Sequence, residues 1–405
     1  MIFRQICSAL CRVRVGWRTL VPCLFLVACG GGVDSGGTGG NATSFVSGPI
    51  TGFGSVIVNG VRFDDSVASV SDAEGTGRSR DDLKLGMTVE LRGSGITTDS
   101  SGASTGTAAS IVYGSAILGP IVMIDLTGAS LIVLGQTVNV LTTTVFDASL
   151  GGALSALANG DVVEVYALFD AATNRYNATR IERKASATSF QLRGVVAALD
   201  AVARSFTIGT ERISYATLAA SEVPAGLANG SFVRVDVQTT LVGSVRRALR
   251  FRNGASQPQD RDEVRIEGLI SAFTSSASFS VDGRAIDASK ASFPDGTAGL
   301  AVGVRVALEG TVSSGSVSAT QVEIRSQAEV ETNGFELRGS ITSIDRAART
   351  FVLRGVTVDY SGPLGPVEYK DGNEATLDSA VNVRVRGRLS SDGTRLVATR
   401  IEFKS

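Results

Sequence analysis

The sequence predicts an all-β chain of five tandem small OB-like five-stranded β-barrel repeats. Three observations predict it. Apolar residues come in short alternating runs rather than at helical spacing, in a chain rich in Gly, Ser, Thr and Val. One ordered set of short signals recurs five times, its opening glycine falling at Gly48, Gly119, Gly194, Gly268 and Gly339, with successive differences of 71, 75, 74 and 71. Within each copy the signals read as three strands, a loop, then two strands, which is the order of an OB-type barrel. An open β-sandwich is the competing reading. Closure is favoured because short alternating strands leave exposed edges unless the sheet curls on itself.

Residues 1–28 stand apart from this pattern. Arg4, Arg12, Arg14 and Arg18 make a basic start, Leu20 to Ala28 is a short apolar run, and Leu26-Val27-Ala28-Cys29 has the form of a bacterial lipobox. The stretch resembles lipoprotein signal peptides, which implies cleavage before Cys29, a diacylglycerol on its thiol and an acyl chain such as palmitate on its new amine. A plain signal peptide cut elsewhere and a short membrane anchor are the alternatives, but the apolar run is shorter than the ~20 residues a spanning helix needs. On the lipobox reading Cys7, Cys11 and Cys23 leave with the leader, so the mature chain has one lipidated cysteine and no disulfide. Losing four of 38 basic residues leaves 34 against 39 acidic ones, a formal charge of -5. Gly30 stands where an aspartate would favour the inner membrane, so the resemblance implies the outer membrane, with the chain facing the periplasm or the cell surface. Residues 29–44, the lipidated cysteine and a glycine-rich linker, read as a flexible tether.

Five repeats follow, at 45–114, 115–185, 188–254, 262–327 and 334–405. The fourth gives the pattern in full. Val264, Ile266 and Ile270 alternate around Gly268 as a first strand. Phe279 and Val281 run into Asp282-Gly283, a pair suited to the positive φ angles of a tight hairpin, and Ile286 lies on the return strand. Gly303 opens the run Val304, Val306 and Leu308, and Ala319 and Val322 lie on the last strand. The hairpin recurs with Gly60, Gly135 and Gly355. In the third copy Thr210 replaces the glycine, so that turn is expected to be of another type or shifted onto Gly209. Gly86, Gly160, Gly230 and Gly303 each stand three residues before a valine, where the fifth copy has Ala380. The loop segments Asp147 to Asn159 and Thr217 to Asn229 are each expected to make a turn or two of helix. Units this small bury modest cores, so neighbours are expected to pack together.

The residues resemble a family of bacterial lipoprotein repeats known as a domain of unknown function, number 5666 in its series. The resembling features are the Gly-x-Ile opening, the Phe-x-Val-x-Gly hairpin, the Leu-x-x-Gly-x-x-Val step at Leu83, Leu157, Leu227 and Leu300, and the Ala-Thr-x-Ile/Val ending at Ala178, Ala319 and Ala398. The likeness runs from about Gly48 to Phe403. It implies a small β-barrel in an envelope protein and brings no activity with it.

The chain has no histidine. With no free thiol expected in the mature chain, Ser-His-Asp, Cys-His and the usual zinc sites are out of reach. Asp64-Asp65, Asp81-Asp82 and Asp260-x-Asp262-Glu263 offer paired carboxylates of the glycosidase kind, yet neighbours on a strand point to opposite faces and read as surface charge. Asp371-Gly372-Asn373-Glu374 lacks the spaced ladder of a calcium loop and reads as a turn. No metal site and no cofactor is expected. Arg246, Arg247, Arg250 and Arg252 form the one basic cluster, and alternation places Arg246, Arg250 and Arg252 on one strand face, as a solvated edge or an anion contact. Nucleic acid is not expected as a partner, because the mature chain is acidic and most Phe residues fall at core positions. A transmembrane barrel is set aside for its short strands and sparse Tyr. The expectation is a non-enzymatic, lipid-anchored cell-envelope protein with its barrels in a short rod or arc, in a structural or interaction role, touching the membrane through its N-terminus and an envelope protein or glycan. The alternative is an envelope or extracellular polysaccharide-binding repeat protein.

Overall fold

In every copy the first strand pairs antiparallel with the second and the fourth, the second with the third, and the fourth with the fifth. The third runs parallel to the fifth, and that pairing closes the ring. The computed structural model describes residues 43–147, 150, 154–252, 257–260, 262–313 and 315–404. Residues 1–28, expected to be a signal peptide, and Cys29 lie outside the described residues. In the first barrel the five strands are Thr43–Phe53, Val56–Val58, Val61–Asp64, Thr88–Ser94 and Ser104–Tyr113, closed by Val61 to Asp64 lying parallel to Ser104 to Thr107. The same circuit closes the second barrel, over 117–184, and the third, over 190–252. It also closes the fourth, over 263–324, and the fifth, over 335–403. Closed OB-like barrels thus replace the sandwich alternative.

The repeated signals carry the circuit for local reasons. Asn59-Gly60, Leu134-Gly135, Asp282-Gly283 and Arg354-Gly355 have positive φ at both central positions, as a type I′ hairpin requires. At the third barrel Gly209 alone is positive, at +55°, so Thr210 escapes the left-handed region and the turn follows the type II′ pattern. In the first, fourth and fifth barrels the register shifts where a glycine of the fourth strand faces a bulge in the last. A Cβ on Gly93, Gly310 or Gly387 would lie 2.2–2.3 Å from the carbonyl oxygen of Thr107, Ser318 or Val397. The closing alanines Ala108, Ala178, Ala248, Ala319 and Ala398 are all buried.

The loop segments carry short 3-10 turns, Leu154–Ala156 and Ala220–Glu222 among them, in keeping with the expected turn or two of helix. The one α-helix among the described residues, Gln327–Asn333, connects the fourth and fifth barrels, started by the Ser326 and Glu329 capping box and ended at Gly334 with φ +58°. The short rod or arc expected from the sequence needs correction. Ser44 to Ser47 of the first barrel pair in parallel with Glu263 to Ile266 of the fourth. Gly52 and Phe53 pair with Glu336 and Leu337 of the fifth. Ile117 and Leu118 of the second pair with Leu192 and Gln191 of the third. The first barrel therefore meets copies that are three and four places away in sequence, which stacking in chain order does not allow. The cause is the first strand itself, which is longer than its own hairpin and offers its free stretches to other copies. Apolar packing follows the same links: Phe45 of the first barrel belongs to the core of the fourth, and the cores of the first and fifth barrels are continuous.

Candidate functional site

The contacts between copies leave a cavity of about 650 Å³ bounded by the first, second, fourth and fifth barrels and the connecting helix. This is within the ~300–1,000 Å³ usual for small-molecule sites. Its walls carry five arginines, Arg62, Arg305, Arg325, Arg386 and Arg388, against two glutamates, Glu267 and Glu336. The hydroxyl and amide groups are those of Thr51, Thr143, Thr179, Thr332, Thr399, Asn59 and Asn333.

Arg62, Arg305, Arg386 and Arg388 lie on strands, and Arg325 directly follows one. On Asn382–Leu389 of the fifth barrel, period-2 alternation turns Val383 and Val385 into the core and Arg384 and Arg386 outward. On the adjacent first strand, Phe335–Asp345, Glu336 lies opposite Arg386 in register. Its carboxylate accepts from Arg384 at 2.7 and 2.8 Å, from Arg386 at 3.0 Å, and from Arg62 of the first barrel. Burial pushes the Glu336 carboxyl up, but the hydrogen bonds from Arg384 and Arg62 outweigh it and hold its pKa at about 2. One carboxylate thus serves three guanidinium groups. Arg305 pairs with Glu267 at 2.7 Å and Arg325 with Glu323 at 2.8 Å. Arg388 is exposed and makes no ion pair among the described residues. Thr179 is buried in the same wall, and its Oγ1 has no hydrogen-bond partner among the described residues.

A smaller cavity of about 140 Å³ adjoins this one through Arg386, with Lys370, Arg384, Arg400 and Glu402 as its other walls. Glu402 is held at about 2 by hydrogen bonds from Lys404 and Lys370. Another cavity, of about 290 Å³, lies between the first four barrels. Its charges are mutually engaged: Arg284 with Glu90, Arg252 with Asp236 at 2.8 Å, and Arg234 with Gln191 at 2.9 Å and Glu74 at 3.4 Å. Burial pushes the Asp282 carboxyl there up, against the pull of Arg193 and Arg284.

Of the arginines singled out from sequence, Arg250 and Arg252 are brought together on Asp236, but Arg246 does not share their face. A register shift at Leu249 reverses the alternation along Val245–Arg252, so Arg246 shares the inward side with buried Ala248 while Arg250 and Arg252 turn outward. Arg246 is buried on Glu211 at 2.6 Å and lies 5.2 Å from the Phe190 ring. Arg250 and Arg252 share Asp236. The paired carboxylates are structural: Asp64 caps Ser66, Asp82 caps Ser79, and Asp262 accepts from Thr43 at 2.7 Å and Arg92 at 3.1 Å. Glu374 is bound by Arg349 at 2.6 Å, and no cluster of metal-ligating side chains occurs among the described residues. Sequence reading missed the arginine-lined cavity. Arg384, Arg386 and Arg388 at alternate positions of one strand were a readable signal, but Arg62, contributed by a distant copy, had none.

The family model described as Domain of unknown function (DUF5666) matches residues 119–182, 267–323 and 338–402, which are the second, fourth and fifth barrels, as tandem copies of that domain. No curated protein matches the chain.

Proposed function

We propose that this chain of tandem DUF5666 domains is a non-enzymatic, lipid-anchored protein of the cell envelope in which the barrels serve a structural or interaction role. One observation carries the reading: the same closed barrel is used five times, each filled by apolar side chains, and the copies are joined through first strands, shared apolar packing and ion pairs rather than around a repeated set of reactive groups. Anchoring rests on Leu26 to Cys29, whose form is that of a lipobox. The test is cell fractionation of the full-length protein and its Cys29→Ala variant. The parent is expected in the outer-membrane fraction and the variant in the soluble envelope fraction; equal partition of the two would refute lipid anchoring. Hydrolysis of envelope glycans by the purified protein would refute the non-enzymatic part.

A second reading, an envelope or extracellular polysaccharide-binding protein, is favoured by the shared cavity, where hydroxyl, amide and guanidinium groups converge from four copies. A glycan array probed with the purified protein separates the two. Reproducible binding supports the second reading, and silence leaves the scaffold role.

A further inference from the structure

We propose that the arginine-lined cavity between the first, second, fourth and fifth barrels is the binding site for an acidic glycan segment, a sugar chain carrying carboxylate or phosphate groups. The inference sharpens the glycan-binding reading given above and rests on it. Three features support it together.

The first is charge in excess of internal partners. Glu336 is shared by Arg62, Arg384 and Arg386, with only Glu402, 3.7 Å from Arg384, as a further carboxylate on the three, and Arg388 adds a charge that makes no ion pair among the described residues. A guanidinium that shares its carboxylate keeps donors free for a second planar anion, which arginine takes in bidentate fashion. The second is shape. Arg386 lines both the large cavity and the adjoining smaller one with Lys370, Arg384 and Arg400, so the basic surface continues as a track rather than a single pocket. A ligand of several linked units can lie along such a track. The third is the neutral part of the lining. Thr51, Thr143 and Thr399 with Asn59 and Asn333 supply donors and acceptors of the kind sugar hydroxyls use. The unpartnered Oγ1 of Thr179 adds one more. The same lining argues against single-stranded nucleic acid, which needs exposed aromatic rings for base stacking. Phe335 is the sole aromatic residue of the walls, and it is buried in the core.

The test is isothermal titration of the full-length, detergent-purified protein with a uronic-acid trisaccharide, a phosphorylated trisaccharide, a neutral trisaccharide and a short single-stranded DNA. At least one acidic trisaccharide is expected to bind, with affinity falling as salt is raised, and the neutral one to give no heat. Whichever acidic arm binds identifies the source of the anion. Arg388→Gln, at an exposed position with no ion pair among the described residues, is expected to weaken binding about tenfold, the loss of one charge-assisted hydrogen bond. Arg386→Ala is expected to weaken it further. Failure of both acidic ligands to bind, equal binding of the neutral one, tighter binding of the DNA, or indifference to both substitutions would overturn the proposal. The membrane anchoring through Cys29 is measured separately and stands or falls on its own result.

Discussion

A double-mutant cycle on Arg62 and Glu336 measures the joint between the first and fifth barrels. The two side chains are 26% and 10% exposed, and they come from copies 274 positions apart in sequence. At ~4 Å between charge centres and an effective dielectric of ~20 the attraction is about 4 kcal/mol. Desolvation and water access at Arg62 reduce this, and because Arg384 and Arg386 share the carboxylate, the coupling assigned to Arg62 falls to about 1–2 kcal/mol. The assay is urea unfolding of Arg62→Met, Glu336→Gln and the double variant, followed by far-ultraviolet circular dichroism because the only tryptophan, Trp17, precedes the first barrel in sequence and does not report on either partner. Glu336→Gln alone is expected to cost about 2–3 kcal/mol, since three guanidinium groups then surround a neutral amide. The Arg62→Met cost should largely vanish in the Glu336→Gln background. A coupling below about 0.3 kcal/mol would refute the claim that this ion pair ties the two barrels together.

Further outcomes follow from the same geometry. Ala380 occupies, at φ +68°, the place held elsewhere by a glycine, so Ala380→Gly is expected to stabilise by about 0.5 kcal/mol, strain relief outweighing chain entropy. Gly230→Ala, at φ +89° with open space around the new methyl, is expected to cost about 1 kcal/mol by the same logic, and thermal midpoints check both. Gly310→Ala places a methyl 2.2 Å from the Ser318 carbonyl oxygen and is expected to cost at least about 2 kcal/mol, measured by urea unfolding. The folded pKa of Glu336, about 2, lies below the ordinary carboxylate value near 4.3. Its contribution to stability is therefore complete above about pH 4.3 and is lost as pH falls through 2. Thermal midpoints between pH 5 and pH 2 should fall less steeply for Glu336→Gln than for the parent protein.

The barrel was legible because its cues are local. A two-residue hairpin needs positive φ, and Asn59-Gly60 or Asp282-Gly283 announces that in the sequence. The position of Thr210 beside Gly209 was enough to foresee a different turn in the third copy. The basic cluster near Arg250 was misread because a single bulged residue, Leu249, inverts alternation, and no composition cue marks a bulge without a glycine. The cavity was illegible for another reason. Its walls come from four copies whose mutual placement depends on which first strand finds which neighbour, a choice made by surfaces rather than by spacing. The helix Gln327–Asn333 did carry a signal, Ser326 followed three residues later by Glu329, before a stretch without the alternation of a strand.

The first strand of the first barrel also has a mechanical meaning. Residues from Thr43 onward lie between Thr88–Ser94 on one side and the opening of Glu263–Ser275 on the other. A pull at residue 43 along the strand axis loads these two ladders in shear, so that many hydrogen bonds resist at once instead of opening one after another. Force entering through the N-terminal end would be shared between two barrels before either could unravel.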